Sequence, residues 1–265
     1  MTVLAWLAEH RDIERLDAEL LVADVLGTDR ARVIAFPEHV MAPAQVQALD
    51  ALSERLRDSE PLAYLLQRKE FFGLSLRVDN RVLVPRPETE LLVELTLARI
   101  ATDAEVLELG TGCGAIAIAL QKSCPGLQIT AVDVAPEALA VARENADRHN
   151  VNVTFLTGDW FSTVTGTFDA IVSNPPYVCT NDPHLKVLRH EPQRALIAGV
   201  DGLAAIGAIA NDAGSFLKPD GLLIVEHGHN QGRRVRELFA QNRFQAIETH
   251  TDLAGLERVT TANRA

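Results

Sequence analysis

Apolar residues recur at helical spacing through the first 60 residues of the chain. Gly27, Pro37 and Pro43 interrupt this spacing, and a further amphipathic segment covers residues 45–58. Apolar positions about 3.6 residues apart are typical of helices that bury one face, and proline and glycine mark their ends. We predict a small domain of four or five helices, with the first apolar positions at Leu4, Leu7, Ile13, Leu16, Leu20 and Leu21.

Between residues 69 and 85 the apolar positions partly alternate with polar ones. The alternating residues are Phe71, Phe72, Leu74, Leu76 and Val78. Asp79-Asn80 then precedes the apolar run Val82–Val84. A period of two is typical of strands, and Asp and Asn favour turns. We therefore expect a β-hairpin linker over residues 69–85, turning at Asp79-Asn80 and leading to a helix begun by Pro85 and Pro87.

From residue 105 onward, short apolar runs alternate with amphipathic stretches. The apolar runs predict strands at Val106–Leu109, Gln128–Val132, Val151–Leu156, Ala170–Val172 and Leu222–Val225, followed by two closing strands at 244–250 and 256–262. Helices are predicted at 114–122, 136–148, 202–217 and 232–241. Such alternation predicts an α/β domain whose parallel sheet is covered on both faces, with the closing strands antiparallel at one edge.

Composition and charge narrow the classes of function. The chain carries 25 basic and 36 acidic side chains, a net charge of −11. That balance disfavours stable binding of nucleic acid, which needs a basic surface. No apolar run is long enough to span a membrane, and the first residues do not resemble a signal peptide, so we expect a cytoplasmic protein. The cysteines lack the spacing of metal ligands or of a disulfide framework, and we expect no metal site.

A glycine-rich turn follows the first strand of the predicted sheet. It comprises Glu108-Leu109-Gly110-Thr111-Gly112-Cys113-Gly114. Glycines allow a sharp strand-to-helix turn and a close approach of backbone to ligand, although a tight turn without a ligand is an alternative explanation. The acid Glu108 would repel a pyrophosphate and favour a cationic or amine-bearing ligand.

The ends of the next two predicted strands carry residues suited to a nucleoside. A carboxylate at Asp133 can bind both ribose hydroxyls, or it can cap the helix that begins at Pro136. Asp159 can accept from an adenine amino group, and Trp160 can cover the ring or simply pack in the core. Together with the glycine turn, these residues indicate S-adenosylmethionine as the cofactor.

The most specific motif is Ser173-Asn174-Pro175-Pro176-Tyr177, which follows the fourth predicted strand. The prolines lack N–H groups, so only carbonyls remain to bind a ligand there. The side-chain oxygen of Asn174 and the carbonyl of Pro175 can accept the two N–H bonds of a planar NH₂ group, while Tyr177 stacks on its plane. An amide nitrogen is a poor nucleophile, and two acceptors favour localisation of its lone pair and aim it at a methyl donor.

The chain resembles the PrmC (HemK) family of protein-(glutamine-N(5)) methyltransferases. The resemblance covers nearly the whole chain and is carried by Glu60–Tyr64, Glu70–Leu74, Val84–Glu90, Glu108–Gly114, Asp159–Phe161, Ser173–Tyr177, Glu191-Pro192, Glu226–Gly228 and Glu257–Val259. It implies an N-terminal helical bundle, a β-hairpin linker and a seven-stranded Rossmann-like class I methyltransferase domain. The corresponding ranges are 1–68 for substrate recognition, 69–85 for the linker and 86–265 for methyl transfer.

The resemblance also implies an activity and a set of site residues. Members of this family methylate the glutamine of the Gly-Gly-Gln loop in class I peptide chain release factors, and we expect a monomer that binds these proteins. The cofactor residues implied are Gly110, Thr111, Gly112, Cys113, Gly114, Asp133, Trp160 and Asn174. The catalytic and substrate-binding residues implied are Asn174, Pro175, Pro176 and Tyr177, with Arg86, Pro87 and Glu88 bordering the site.

Two alternatives and one departure accompany this interpretation. A DNA adenine-N(6) methyltransferase shares the Asn-Pro-Pro-Tyr motif, but it would need to flip its base and would normally carry a basic surface. A non-catalytic S-adenosylmethionine-binding module is the other alternative. Gln67 stands where the family usually has glycine, which puts the turn before the hairpin in doubt.

Overall fold

The computed structural model describes all 265 residues, and these form two compact units. The first unit is Met1–Arg68 and the second is Lys69–Ala265. The first unit contains five helices: α1 (Val3–Glu9), α2 (Arg15–Val25), α3 (Arg30–Ala35), α4 (Pro43–Arg57) and α5 (Leu62–Leu65). The prediction of four or five helices in this part of the chain is confirmed.

The helical unit has its own apolar core. Trp6 is fully buried in it, and Leu21 and Leu49 contribute further fully buried side chains. The indole of Trp6 stacks on His10 at 4.0 Å between ring centroids and donates its N–H to Asp50 Oδ1 at 2.8 Å. The buried indole N–H therefore has the partner that its removal from water requires.

Gln67 has a backbone conformation that suits glycine. Its φ is +52°, and its N–H donates to the carbonyl of Tyr64 at 3.2 Å as the chain leaves α5. The left-handed region brings Cβ close to the backbone, so only glycine adopts it without strain. The turn that was in doubt therefore forms with glutamine in place.

We expect Gln67→Gly to raise the free energy of unfolding by about 0.5–1 kcal/mol. Relief of the left-handed strain is worth about 1–2 kcal/mol, and the greater freedom of glycine in the unfolded chain offsets part of it. Urea titration of both proteins measures the difference. Gln47→Gly on the exposed face of α4 is the matched control, and there glycine should destabilise by about 1 kcal/mol. A less stable Gln67→Gly protein would contradict the strain argument.

A hairpin that starts at Arg68 leads into the second unit, and its turn differs from the predicted one. Strands β1 (Arg68–Phe71) and β2 (Leu74–Arg77) pair with each other and are connected by a turn at Phe72-Gly73. The φ angles of these two turn residues are +50° and +71°. Positive φ at both central residues is the geometry that matches the twist of a two-residue hairpin. The chain does turn at Asp79-Asn80, where the Val82 N–H donates to the Asp79 carbonyl at 3.1 Å, but the strand expected over Val82–Val84 does not form, so this turn closes no hairpin. The Asp79 carboxylate instead accepts from its near neighbour Arg81, at 2.6 Å from Nη2.

The remainder of this unit is a seven-stranded sheet with helices. The strands are β3 (Glu105–Leu109), β4 (Gln128–Asp133), β5 (Thr154–Thr157), β6 (Phe168–Ser173), β7 (Leu217–Glu226), β8 (Phe244–Thr251) and β9 (Glu257–Arg264). The helices are α6 (Glu90–Leu97), α7 (Ala115–Ser123), α8 (Pro136–His149), α9 (Ala204–Phe216) and α10 (Gly232–Gln241), and a 3₁₀ turn at Pro87–Thr89 precedes α6. The predicted seven-stranded α/β fold is confirmed.

The order of the sheet is β5-β4-β3-β6-β7-β9-β8. Strands β3 to β7 are parallel, and β9 runs antiparallel to both β7 and β8. Strands β3 and β6 and the second half of β7 are almost fully buried, which explains why their sequences are mostly apolar rather than alternating. The two closing strands are antiparallel as expected, with β9 inserted between β7 and β8.

Strand register brings four chain segments to one edge of the sheet. Leu109 at the end of β3 pairs with Val132 on one side and Ser173 on the other, and Ser173 pairs with Val225 of β7. The residues that directly follow these positions therefore emerge side by side at the carboxyl edge, where ligands bind in open α/β sheets. None of the ten helices in the protein has the length and apolar character needed to cross a bilayer.

Candidate active site

The glycine turn after β3 adopts a conformation that only glycine tolerates well. Gly110, Gly112 and Gly114 have φ angles of +74°, +56° and +84°. A Cβ on Gly114 would also lie 2.9 Å from Ile118 Cδ1. The N–H groups of Gly110 and Thr111 both donate to the carbonyl of Val132, at 2.8 and 3.0 Å, which ties the turn to β4. The three glycines are therefore required by the backbone itself.

Asp133 ends β4 and binds this turn. Its Oδ2 accepts from the Gly112 N–H at 2.8 Å, and its Oδ1 accepts from the Ala135 N–H at 2.9 Å. Burial raises the pKa of Asp133, and these backbone hydrogen bonds lower it. The cap of α8 is Ala135 and not Asp133, so the capping alternative is wrong. The carboxylate retains lone pairs for further donors such as hydroxyls.

Trp160 reaches the same edge after β5. Its φ of +45° is left-handed, an unusual state for a bulky residue and one that occurs at ligand sites. A Cβ on Gly110 would come within 3.7 Å of the Trp160 ring, so the ring lies over the glycine turn. The backbone N–H of the preceding Asp159 donates to Ser162 Oγ at 2.9 Å. The local turn therefore uses the backbone of Asp159 and not its carboxylate.

Asn174 follows β6, and its side chain is fixed by a hydrogen bond. Nδ2 of Asn174 donates to Thr89 Oγ1 at 3.0 Å. The amide oxygen Oδ1 is therefore turned away from Thr89 and remains an acceptor. Ser173 donates its hydroxyl to the Leu109 carbonyl at 2.8 Å, which holds the start of the motif against the end of β3.

Tyr177 is anchored at both its backbone and its hydroxyl. Its carbonyl accepts from Gln231 Nε2 at 3.0 Å, and its hydroxyl donates to Glu226 Oε1 at 3.3 Å. Burial raises the pKa of both Tyr177 and Glu226, the latter to about 7. Gly202 faces this loop so closely that a Cβ there would lie 2.3 Å from the Tyr177 carbonyl oxygen.

A single cleft of about 120 Å³ unites most of the predicted residues. Those that line it are Gly110, Gly112, Asp133, Asp159, Trp160, Asn174 and Pro176. Pro175 and Tyr177 are not among its lining residues, and neither are Thr111, Cys113 and Gly114. Thr111 instead donates to Glu108 Oε2 at 2.7 Å, and burial raises the pKa of the Cys113 thiol to about 12. The cleft therefore joins the ends of β3, β4, β5 and β6.

Several residues of the cleft were not anticipated from the sequence. The additional lining residues include Arg81, Val82, Leu83, Pro192, Arg194 and Ala195. Residues 82–84 carried an apolar run that indicated a strand, and Pro192 lay in a family motif without an assigned role. Nothing in the sequence distinguishes Arg194 from other surface arginines.

Arg86 and the buried Glu191 pair across the chain. Glu191 Oε1 accepts from Arg86 Nη2, and Glu191 Oε2 accepts from the Val84 N–H at 3.0 Å. One buried carboxylate thereby holds the segment before the 3₁₀ turn against the segment that includes Pro192. The buried His227 contacts Gly228 O and Thr260 Oγ1, each at 2.9 Å, which gives it structural partners within the sheet.

Glu108 is a buried acid directly beneath the glycine turn. Its exposed fraction is 1%, and Oε2 accepts from Thr111 Oγ1 and, at 3.0 Å, from the Ala117 N–H. Oε1 is buried without a partner. Burial raises the pKa of Glu108 from its ordinary 4.5 to about 7, against the lowering effect of the two hydrogen bonds.

Because the native pKa of Glu108 is raised, we expect its replacement to change the pH dependence of stability. The folded state holds this proton more tightly than the unfolded state, so the stabilisation is complete below pH 4.5 and is lost as pH rises to about 7. The loss is on the order of 3 kcal/mol. Urea titrations at pH 5 and pH 8 should show wild-type stability falling relative to Glu108→Gln. A difference between the two proteins that does not vary with pH would contradict the raised pKa.

Comparison with known proteins agrees with this geometry. Residues 4–66 match the family described as PrmC N-terminal domain, and residues 87–195 match the Methyltransferase small domain. The chain is 45% identical to a release factor glutamine methyltransferase of Vibrio cholerae, over 94% of this chain and 89% of that protein. It belongs to the release factor glutamine methyltransferase family.

Further matches agree with membership of the release factor glutamine methyltransferase family. The protein of that name from Escherichia coli is 43% identical over 93% of this chain and 91% of its own length. A methyltransferase from Pyrococcus furiosus superimposes with a TM-score of 0.59 at 20% identity, covering 82% of this chain and 98% of that one. The structural match supports the class I methyltransferase fold of the second unit.

Proposed function

We propose that this protein transfers a methyl group from S-adenosylmethionine to the side-chain nitrogen N(5) of the glutamine in the Gly-Gly-Gln motif of class I release factors, and so modulates translation termination. The observation that carries the proposal is the fixed Asn174 side chain, whose Oδ1 remains an acceptor in the cleft. The names of the relatives support the same substrate.

The residues of the cleft fit S-adenosylmethionine. Glycine backbone at 110 and 112 leaves open space where side chains would otherwise project, since a Cβ on Gly112 would meet nothing within 4 Å. Asp133 offers carboxylate oxygens to ribose hydroxyls, and Trp160 and Asp159 offer a ring face and an acceptor to adenine. The buried negative charge of ionised Glu108 favours a cationic ligand nearby. When bound, S-adenosylmethionine supplies an electrophilic methyl group.

Asn174, Pro175, Pro176 and Tyr177 would hold the glutamine amide. Asn174 Oδ1 and the Pro175 carbonyl accept its two N–H bonds, which weakens the delocalisation of the nitrogen lone pair into the amide. They also stabilise the positive charge that develops on nitrogen during transfer. Pro176 forms part of the cleft wall, and the half-buried Tyr177 ring would stack on the amide plane. The proton leaves the methylated nitrogen afterwards, so no strong base is needed in the motif.

Each part of the chain has a proposed task. Residues 1–68 would recognise the release factor, residues 69–85 would serve as the linker, and residues 86–265 would carry out the transfer. A single glutamine side chain offers little binding energy, and contacts remote from the reacting nitrogen are needed for selectivity. The separate core of the helical unit suits such a recognition role.

Radiolabelled methyl transfer tests the proposed function. Purified class I release factor is compared with its Gly-Gly-Ala variant and with duplex DNA. Label on the wild-type factor alone is expected. Label on DNA would favour the adenine methyltransferase alternative, and tight cofactor binding without any transfer would favour the non-catalytic one. Equal label on both release factors would place the methyl group at a residue other than the Gly-Gly-Gln glutamine.

A further inference from the structure

Thr89 contacts the residue on which the proposed chemistry depends. It lies at the end of the 3₁₀ turn Pro87–Thr89 and is 4% exposed. Its Oγ1 accepts from Asn174 Nδ2 at 3.0 Å across 85 residues of sequence. Thr89 precedes α6, but its side chain makes no capping hydrogen bond to that helix. The hydroxyl therefore does not serve to cap α6.

Glu226 lies next to this pair at the end of β7. Val225 pairs with Ser173, so Glu226 and Asn174 emerge beside each other from neighbouring parallel strands. Glu226 is 1% exposed, its Oε1 accepts from the Tyr177 hydroxyl, and its Oε2 is buried without a partner. Burial raises the pKa of Glu226 to about 7, and the nearby Thr89 hydroxyl is among the groups that lower it.

The direction of these contacts follows from the chemistry of each group. Asn174 Nδ2 donates to Thr89 Oγ1, so the hydroxyl proton of Thr89 points away from Asn174, and the nearby Glu226 carboxylate, when ionised, only accepts hydrogen bonds. The Thr89 oxygen then presents a lone pair to Asn174, and only the NH₂ end of the Asn174 amide can satisfy it. The opposite orientation of the amide would place an NH₂ group toward the substrate, where two donors would meet and the substrate nitrogen would lose an acceptor.

We propose that Thr89 and Glu226 are positioning residues that hold the Asn174 amide with its oxygen facing the cleft. Neither is required to touch the glutamine; they act through Asn174 and, for Glu226, also through Tyr177. The proposal rests on the proposed function, because it specifies how the acceptor for the substrate amide is fixed. It assigns roles to two residues that the Asn-Pro-Pro-Tyr motif does not include.

Thr89→Val and Thr89→Ser form a matched pair for the test. Valine keeps the shape of threonine and removes the hydroxyl, while serine keeps the hydroxyl and removes the methyl group. In methyl-transfer kinetics on a release factor, we expect Thr89→Val to lower kcat by about 10- to 100-fold, because the acceptor is no longer held in position. The KM for the release factor and the Kd of S-adenosylmethionine should change by less than about threefold, since these contacts orient rather than bind. Thr89→Ser should retain kcat within about threefold of wild type.

A second measurement does not depend on the substrate. In NMR spectra of ¹⁵N-labelled protein, the signals of the Asn174 side-chain NH₂ group are identified by their absence in Asn174→Ala. These amide protons should exchange slowly with solvent in wild type and in Thr89→Ser. They should exchange at least about tenfold faster in Thr89→Val, because the hydrogen bond is lost. Glu226→Gln, which can donate as well as accept, should fall between wild type and Thr89→Val in kcat.

Three results would overturn the positioning role. One is a Thr89→Val protein with wild-type kcat and slow exchange, and another is a Thr89→Ser protein as impaired as Thr89→Val. The third is a loss in which KM and cofactor Kd rise as much as kcat falls, which would indicate general disruption of the fold. A wild-type protein that labels no release factor would instead contradict the proposed function, and the exchange measurement would still decide whether Thr89 holds Asn174.

Discussion

Asn174→Ala is expected to lower the rate of methyl transfer by about 100- to 1000-fold or more, the range found when a preorganised group that stabilises transition-state charge is removed. The variant loses the side-chain oxygen that would accept from the substrate amide, together with the hydrogen bond to Thr89. Affinity for S-adenosylmethionine should weaken much less, because Asn174 is one of many residues lining the cleft.

Single-turnover label transfer and titration calorimetry separate the two effects of this substitution. Asn211→Ala is a suitable control, because Asn211 is exposed on α9 and its Nδ2 contacts only the adjacent Asp212 among the protein groups. Intact transfer in Asn174→Ala would remove Asn174 from the chemistry. An equal loss of transfer and cofactor affinity would make it a cofactor residue rather than one that binds the glutamine.

Asp133→Ala is expected to weaken S-adenosylmethionine binding by about 100-fold or more. Hydrogen bonds to a charged acceptor are each worth about 1.5–3 kcal/mol, and the carboxylate would accept from two ribose hydroxyls. The variant also loses the bonds to the N–H groups of Gly112 and Ala135, which loosens the glycine turn.

Calorimetric Kd values for wild type, Asp133→Ala and Asp133→Asn measure this effect. Asparagine retains one acceptor oxygen, so Asp133→Asn should lose less affinity for S-adenosylmethionine than Asp133→Ala. Asp147→Ala, on the exposed side of α8, is the control for removal of a carboxylate elsewhere in the same unit. An unchanged Kd in Asp133→Ala would exclude Asp133 from the cofactor site.

The sequence predicted the sheet well because its strands are buried on both faces. Runs such as Val106–Leu109, which is apolar apart from Glu108, and Ala170–Val172 lie within the observed strands, which are longer by one and by three residues. The hairpin turn was mispredicted because Asp-Asn is the stronger turn signal by composition. The structure instead turns at Phe72-Gly73, and positive φ at a phenylalanine is not visible in the sequence.

The candidate site was predictable where its residues follow consecutive strands. Asp133 is the last residue of a strand, Trp160 and Asn174 come shortly after one, and parallel strands bring such ends together. Thr89, Glu191 and Arg194 were missed because their contacts join distant parts of the chain. The Thr89–Asn174 bond spans 85 residues and the Val84–Glu191 bond spans 107, and no local pattern indicates either.

The buried acids Glu108 and Glu226 have a consequence for attempts to improve this protein by selection. Each is 1% exposed, each has one oxygen without a partner, and burial raises the pKa of each to about 7. Near neutral pH the ionisation of these buried acids therefore lowers the free energy of unfolding. Removal of such destabilising groups is a common route to greater thermal stability. A library screened only for survival at high temperature should accumulate uncharged residues at positions 108 and 226. The resulting proteins would be more thermostable but less active. Any such screen should therefore alternate with a round that selects for methyl transfer.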